Sequence, residues 1–261
     1  MSQRLAQYLN QLLARGHNLL YMGRRSRPRG ILRFYSHGFP QMFRSTLPYT
    51  VGAFALFLAG AVTGLLTTLA DPSFQRFFLP PPLVQAIERR VMWTHSILTI
   101  KPLATSGIMT NNLTVGFTAF ALGITGALGT IYLLVTNGLL MGVVGAACWQ
   151  AGMSLELWSF VAPHGVLELP AIFIAGAAGL LLGRGLLFPG LRGRREALVH
   201  YGGQAVRLVL GLIPMLVLAG ITEGFVSPGR APAPGKLAVA GCWGALLFLY
   251  LFRAGREKPG S

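Results

Sequence analysis

Long apolar runs are the feature of this sequence that most restricts its fold. Stretches of roughly 18 or more apolar residues recur along the chain, a length typical of membrane-spanning segments. A helix needs about 20 such residues to cross a hydrocarbon core of ~30 Å, and lipid forces the backbone polar groups to bond within the helix. Only 11% of the 261 residues are charged. The sequence therefore predicts an all-α fold, a polytopic transmembrane helical bundle.

Three regions are expected along the chain. Residues 1–44 are predicted to form a cytoplasmic amphipathic and basic interfacial segment, because the leucines of Gln3–Met22 fall on one helical face and a run of arginines follows them. Residues 45–252 would form the transmembrane domain with an outer loop at 71–106, and 253–261 a cytoplasmic tail. The outer loop is interpreted either as a cap on the bundle or as a docking surface.

About six spans are predicted from the apolar runs and the signals between them. They are expected at Ser45–Ala70, Leu113–Thr136, from Leu139 onward, Val166–Phe188, Leu208–Val226 and Leu237–Phe252. Asn137-Gly138 is interpreted as the turn after the second span. The pattern leaves open whether residues 152–165 cross the membrane or turn back inside it.

The distribution of basic residues predicts the orientation. With six spans, 16 of the 22 Lys and Arg residues fall on the side that carries both termini, which the positive-inside rule assigns to the cytoplasm. The net charge of +15 does not indicate nucleic acid as a partner, because the basic residues sit at the edges of apolar runs. We therefore expect a multi-pass membrane protein with both termini in the cytoplasm and the lipid bilayer as its surroundings.

Small residues repeat every four positions on two predicted spans. Such stripes let helices approach closely in lipid, where close packing replaces the hydrophobic effect as the force that associates helices. The two stripes are Ala119, Gly123 and Ala127, and Ala175, Gly179 and Gly183.

A group of polar residues is predicted to meet at the outer ends of the spans. His164 and Glu168 are four residues apart and share a helical face, and Gly165 lies between them in a stretch bracketed by Pro163 and Pro170. The other members of this polar knot are Glu223, Asn111 and Asn112. The knot is interpreted either as a hydrogen-bonded structural feature or as a proton or ion pathway.

Motifs that would indicate catalysis or a cofactor are missing from the sequence. His-x-x-x-Glu supplies only two metal ligands, so no metal site is expected. There is also no nucleophile elbow, P-loop or dinucleotide fingerprint. Cys148 and Cys242 lie in apolar spans without C-x-x-C spacing and are interpreted as core residues. We therefore expect a non-enzymatic protein without a cofactor.

Several segments resemble the stage II sporulation protein M (SpoIIM) family of bacterial membrane proteins. The specific ones are the run Ala162–Gly183, with its His-Gly-x-x-Glu-Leu, and the run Ala219–Pro228, with its Glu-Gly-Phe. The Asn111-Asn112 pair, the Thr-Asn-Gly at Thr136–Gly138 and the helix Tyr8–Tyr21 extend the resemblance over nearly the whole chain.

This resemblance implies a membrane scaffold that, in endospore formers, recruits cell-wall hydrolases. The leading hypothesis is a non-enzymatic scaffold or assembly protein that organises other membrane or envelope proteins. The alternative is a transporter-like permease subunit working with a cytoplasmic ATPase, and an intramembrane hydrolase or metal enzyme is a third reading. The sequence leaves monomer and homo-oligomer open.

Overall fold

The computed structural model describes residues 28–92, 113–229 and 231–256, and every regular element in these ranges is a helix. The predicted amphipathic helix Gln3–Met22 and the Asn111-Asn112 pair lie outside the described residues. The all-α prediction is confirmed. The helices, numbered along the chain, are α1 (Pro28–Arg33), α2 (Phe39–Ser45), α3 (Leu47–Ala70), α4 (Gln75–Phe78), α5 (Pro81–Glu88), α6 (Leu113–Thr125), α7 (Leu128–Gln150), α8 (Ser154–Leu187), α9 (Arg194–Phe225) and α10 (Ala233–Arg253).

Five of these helices, α3, α7, α8, α9 and α10, are long and apolar enough to cross a membrane. Their apolar surface places the protein in a lipid bilayer. Helix α6 is apolar but shorter.

Helices α3 and α7 pack side by side and run in the same direction. Gly60 faces the backbone of Val135 and Leu139, and further along both helices the side-chain amide of Gln150 donates to the carbonyl of Thr68 at 3.2 Å. Two parallel helices need a return of the chain between them. This return contains α6. Counted together with the five long helices, it agrees with about six passes.

The start of the first long helix and the end of the last one lie at the same end of the bundle. Arg44, just before α3, donates to the carbonyls of Leu251 and Ala254, both at 2.8 Å, and the Gln41 amide donates to the carbonyl of Gly255. The hydroxyl of Tyr250 donates to the carbonyl of Tyr35 at 2.7 Å. Helix α10 is thus bound to the segment α1–α2 at its carboxyl end.

The predicted second span, Leu113–Thr136, is wrong in its boundaries. The helix breaks at Gly126 and Ala127, which both have positive φ values of 68° and 69°. The chain reverses there, and the hydroxyl of Thr130 donates to the carbonyl of Ala119 at 2.7 Å. Helix α7 then continues through Asn137-Gly138, so the predicted turn at that pair is also wrong.

The fourth span was predicted to begin at Val166, and this boundary is wrong as well. Helix α7 ends at Gln150 with Gly152 at φ 72° and the amide of Met153 bonded to the carbonyl of Cys148, a Schellman-type end. Helix α8 begins at Ser154 and passes through both prolines. Residues 154–165 therefore belong to the same helix as the apolar run that follows.

The two small-residue stripes pack against each other. A Cβ added at Gly123 would overlap the backbone of Gly179, and one added at Gly183 would overlap the backbone of Gly126 and Ala127. This contact joins α6 and the following turn to α8. Of the two cysteines, Cys148 is buried as expected, whereas Cys242 is exposed on α10, so its prediction as a core residue is wrong.

The described part of the predicted outer loop forms a cap on one end of the bundle, which we define as residues 71–92. Val84 and Ile87 of α5 are buried in an apolar cluster with Val143 and Leu157 of the long helices. The side chain of Asp71 accepts a hydrogen bond from the amide of Ser73 at 2.9 Å and ends α3. Arg76 and Glu88 form an exposed ion pair at 3.0 Å within the cap.

Candidate functional site

Two neighbouring helices bring three ionisable side chains together inside the bundle. His164 and Glu168 lie one turn apart on α8, about 15 and about 21 Å along the axis from its first residue at ~1.5 Å per residue. Glu223 lies two residues before the end of α9, which runs antiparallel to α8. We call these three side chains the His-Glu-Glu cluster.

The cluster is compact and closed to solvent. One ligand atom from each of the three residues can be chosen so that all lie within 4.8 Å of one another. His164, Glu168 and Glu223 are only 5%, 8% and 4% exposed, respectively. Two carboxyl groups at this distance repel each other when both are ionised, and burial strengthens the repulsion.

A hydrogen bond fixes the imidazole of His164 from the side of α9. Its Nδ1 lies 2.8 Å from the hydroxyl oxygen of Ser227, which follows α9 and is fully buried. The Nζ of Lys236, near the start of α10, donates to the carbonyl of the same Ser227 at 2.6 Å. The ring of Phe160 packs edge-on against the imidazole with a centroid distance of 5.6 Å. Two contacts, from Ser227 and Phe160, therefore set the position of the ring, and Lys236 fixes the backbone of Ser227.

One carboxylate oxygen of the cluster lacks a partner. Oε2 of Glu223 is buried and accepts no hydrogen bond. No lysine or arginine within the described ranges forms an ion pair with Glu223. Buried polar atoms are nearly always satisfied, and an isolated buried carboxylate costs several kcal/mol, so this atom needs a partner such as a proton, a water molecule or a cation.

The two prolines of α8 lie on either side of the cluster. Proline has no backbone N–H, so Pro163 and Pro170 leave the carbonyls of Ser159 and Val166 without their usual partner four residues later. Membrane helices tolerate such positions where neighbouring helices cover them. Pro163 fulfils that condition because it is fully buried, whereas Pro170 is only half-buried.

The structure separates the residues of the predicted polar knot into two groups. His164, Glu168 and Glu223 converge. Gly165 faces the other side of α8 and lines an apolar groove of about 570 Å³ between α8 and α10, with Val166, Leu169, Leu247 and Phe248 among the residues around it. Asn111 and Asn112 lie outside the described residues.

Two residues of the site, Ser227 and Lys236, were not predicted from the sequence. Ser227 stands four residues after Glu223, and a helical continuation from Glu223 would have placed both on one face. Lys236 gives no sequence signal that distinguishes it from an ordinary basic residue at the edge of a span.

The fold and the cluster define a class: a polytopic helical membrane protein with a buried group of ionisable residues between two of its central helices. The chain belongs to the stage II sporulation protein M family, whose family model matches residues 53–228. That range contains the whole His-Glu-Glu cluster and Ser227.

A curated relative is an uncharacterized protein of Methanocaldococcus jannaschii, 27% identical over 123 residues. The match covers 46% of this chain and 54% of the relative, so the chain spans about half the length of the relative that it matches. No solved structure matches the chain.

Proposed function

We propose that the protein is a non-enzymatic scaffold of the bacterial cytoplasmic membrane that holds partner proteins at fixed positions, with both termini in the cytoplasm. The observation that carries this proposal is the glycine packing of α3 against α7. A Cβ added at Gly60, Gly64, Gly138 or Gly142 would overlap backbone atoms of the facing helix. Helices in such close contact are poorly suited to large relative movement, since interfaces packed to this density do not deform continuously.

The cap is the surface that this closely packed helical bundle would present to a partner. Its buried side chains fix it to α7 and α8, while Phe77 is 81% exposed and Phe78 and Val91 are also exposed. Aromatic residues are enriched at protein interfaces and at the membrane surface. A rigidly held cap with an exposed aromatic side chain supports a docking role for this end of the bundle.

Cross-linking in native membranes, followed by purification of the full chain and identification of what is bound, tests the proposal. We expect Phe77→Ser to lower the yield of the specific partners several-fold. The matched control is Leu191→Ser, because Leu191 is a fully exposed apolar residue in the loop at the opposite end of α8. Equal partner recovery from Phe77→Ser and the wild type would contradict docking at the cap.

A second candidate is a permease subunit that works with a cytoplasmic ATPase. The buried His-Glu-Glu cluster favours it, because ionisable residues within membrane helices are typical of ion and proton pathways. Proteoliposomes containing the protein and any co-purified ATPase distinguish the two functions. Flux that requires ATP hydrolysis and is abolished by Glu168→Gln would support the permease. If Glu168→Gln changed partner retention or stability without any flux in the wild type, the scaffold would be supported.

A further inference from the structure

The structure assigns a divalent transition-metal site, with Zn²⁺ as the reference ion, to His164, Glu168 and Glu223. The assignment goes beyond the scaffold function and does not depend on it. The sequence alone indicated only two metal ligands, both on α8. The fold supplies the third from α9, some sixty residues later in the chain.

The donor set fits such an ion. One imidazole with two carboxylates is a combination that Zn²⁺ and related ions accept, and three protein ligands leave a fourth position for water or another ligand. Zn²⁺ bonds of about 2.0–2.2 Å place tetrahedral ligand atoms about 3.3 Å apart. Atoms within 4.8 Å of one another would therefore close by no more than about 1.5 Å, which side-chain rotation can provide.

The charge also fits. Two carboxylates and a neutral imidazole carry a charge of −2 that a divalent cation neutralises, so the ion would remove the repulsion between Glu168 and Glu223. The unpartnered Oε2 of Glu223, on a side chain only 4% exposed, would gain the partner that it lacks. Burial of this cluster is therefore easier to account for with the ion than without it.

The contacts around His164 match those of a metal ligand. Metal-binding histidines typically use one ring nitrogen for the ion and bond the other to a neighbouring group that orients the ring. The Nδ1 of His164 lies 2.8 Å from the hydroxyl of Ser227, so one ring nitrogen is bonded to the protein and the other remains for an ion. Ser227 is thus a positioning residue for His164, and Lys236 fixes the backbone of Ser227 in turn.

The test uses the full chain, purified in detergent through a tag without histidine and stripped with a chelator. Zn²⁺ alone is then titrated, with Mn²⁺ as a second probe. We expect one Zn²⁺ per chain in the wild type and at least a 100-fold loss of affinity in Glu223→Gln. Ser227→Ala should lower affinity by about 10-fold, as loss of an outer-shell partner does. The matched control is Glu156→Gln, because Glu156 is an exposed carboxylate on the same helix.

A second measurement keeps the test decisive even if Glu223→Gln does not fold. X-ray absorption at the zinc edge of the loaded wild type, in a Cys242→Ser background that removes the exposed thiol, should show nitrogen and oxygen ligands with one imidazole. The proposal is overturned if the wild type binds less than one ion per chain at micromolar free Zn²⁺. Sulfur ligation, or a folded Glu223→Gln that binds as tightly as the wild type, would overturn it equally.

Discussion

Helices α8 and α10 both have the length and composition of a membrane span, yet the protein holds them by different means. Eighteen of the 34 residues of α8 are buried, against two of the 21 residues of α10. Glycines of α8 touch the backbone of α6 and of the turn after it, and α8 also carries two members of the His-Glu-Glu cluster. Helix α10 also contacts α8, but the apolar groove separates the two helices along part of their length. Hydrogen bonds hold α10 at its carboxyl end, and Lys236 near its start donates to Ser227.

This contrast shows that the hydropathy of a span does not indicate whether the span lies at the centre or at the edge of a membrane bundle. The two helices differ in what their small residues face. Gly179 of α8 faces the backbone of α6, whereas Gly241 and Gly244 of α10 have no atom near the position of an added Cβ. In α8 the glycines are needed for packing, and in α10 they are not.

The largest expected effect comes from a Gly→Ala substitution in α8, compared with the same substitution in α10. Gly179→Ala would place a Cβ against the carbonyl of Ala119 and the side chain of Thr130, which forces α6 and α8 apart. We expect a loss of about 1–3 kcal/mol in the free energy of unfolding, typical of overpacking. The control, Gly241→Ala, should be neutral or stabilising, because Ala favours the helix over Gly. Thermal unfolding in detergent measures both, and equal destabilisation by the two variants would refute the contrast.

A smaller and more local effect is expected at the end of α10. Arg44→Gln removes a cationic donor to the carbonyls of Leu251 and Ala254. Because Arg44 is only half-buried and Gln can still donate one hydrogen bond, we expect a loss of about 0.5–1.5 kcal/mol, the range of an ordinary hydrogen bond. We expect faster hydrogen exchange at the carboxyl end of α10 and unchanged exchange in α8. Arg33→Gln is the control, since Arg33 is exposed. If exchange rose equally in α8, the two helices would not be held independently.

The smallest effect is expected at the polar end of α3. The hydroxyl and then the amide of Ser73 lower the pKa of Asp71, so the ionised form is favoured in the folded state. A lowered pKa contributes stability above the unfolded value near 4 and loses it as the pH falls through the folded value. We expect the protection factors of the amides in residues 70–74, which correct exchange for its intrinsic pH dependence, to fall between pH 5 and 3 in the wild type, and Asp71→Asn to remove that change. A pH response that persists in Asp71→Asn would assign it to another group.

The sequence was sufficient to predict the membrane class, the family and the small-residue stripes, because lipid imposes long apolar runs and close helix contacts. It misplaced the turn at Asn137-Gly138, which is a turn signal in water. Inside the bundle Gly138 serves a different purpose: an added Cβ there would overlap the carbonyl of Phe57, so glycine is required for α3 to approach α7. Local turn chemistry cannot reveal a contact with a helix so far away in sequence.

Only the part of the candidate site that lies on one helix could be predicted from residue spacing. His164 and Glu168 share a face by helical periodicity alone, whereas the approach of Glu223 depends on how α9 packs against α8. The prolines misled the placement, because Pro163 and Pro170 normally end or begin helices in water. In α8 both prolines lie inside the helix, Pro163 fully buried by its neighbours and Pro170 half-buried beside the groove.

The parallel pairing of α3 and α7 also determines how the bundle can be built. The glycines that join these helices, Gly60 and Gly138, are some eighty residues apart in the chain, a non-local contact that forms late in folding. During synthesis α3 therefore enters the membrane well before its principal partner exists. Until α7 arrives, the glycine face of α3 is covered by lipid alone, so assembly depends on α3 remaining in place while the rest of the chain is inserted.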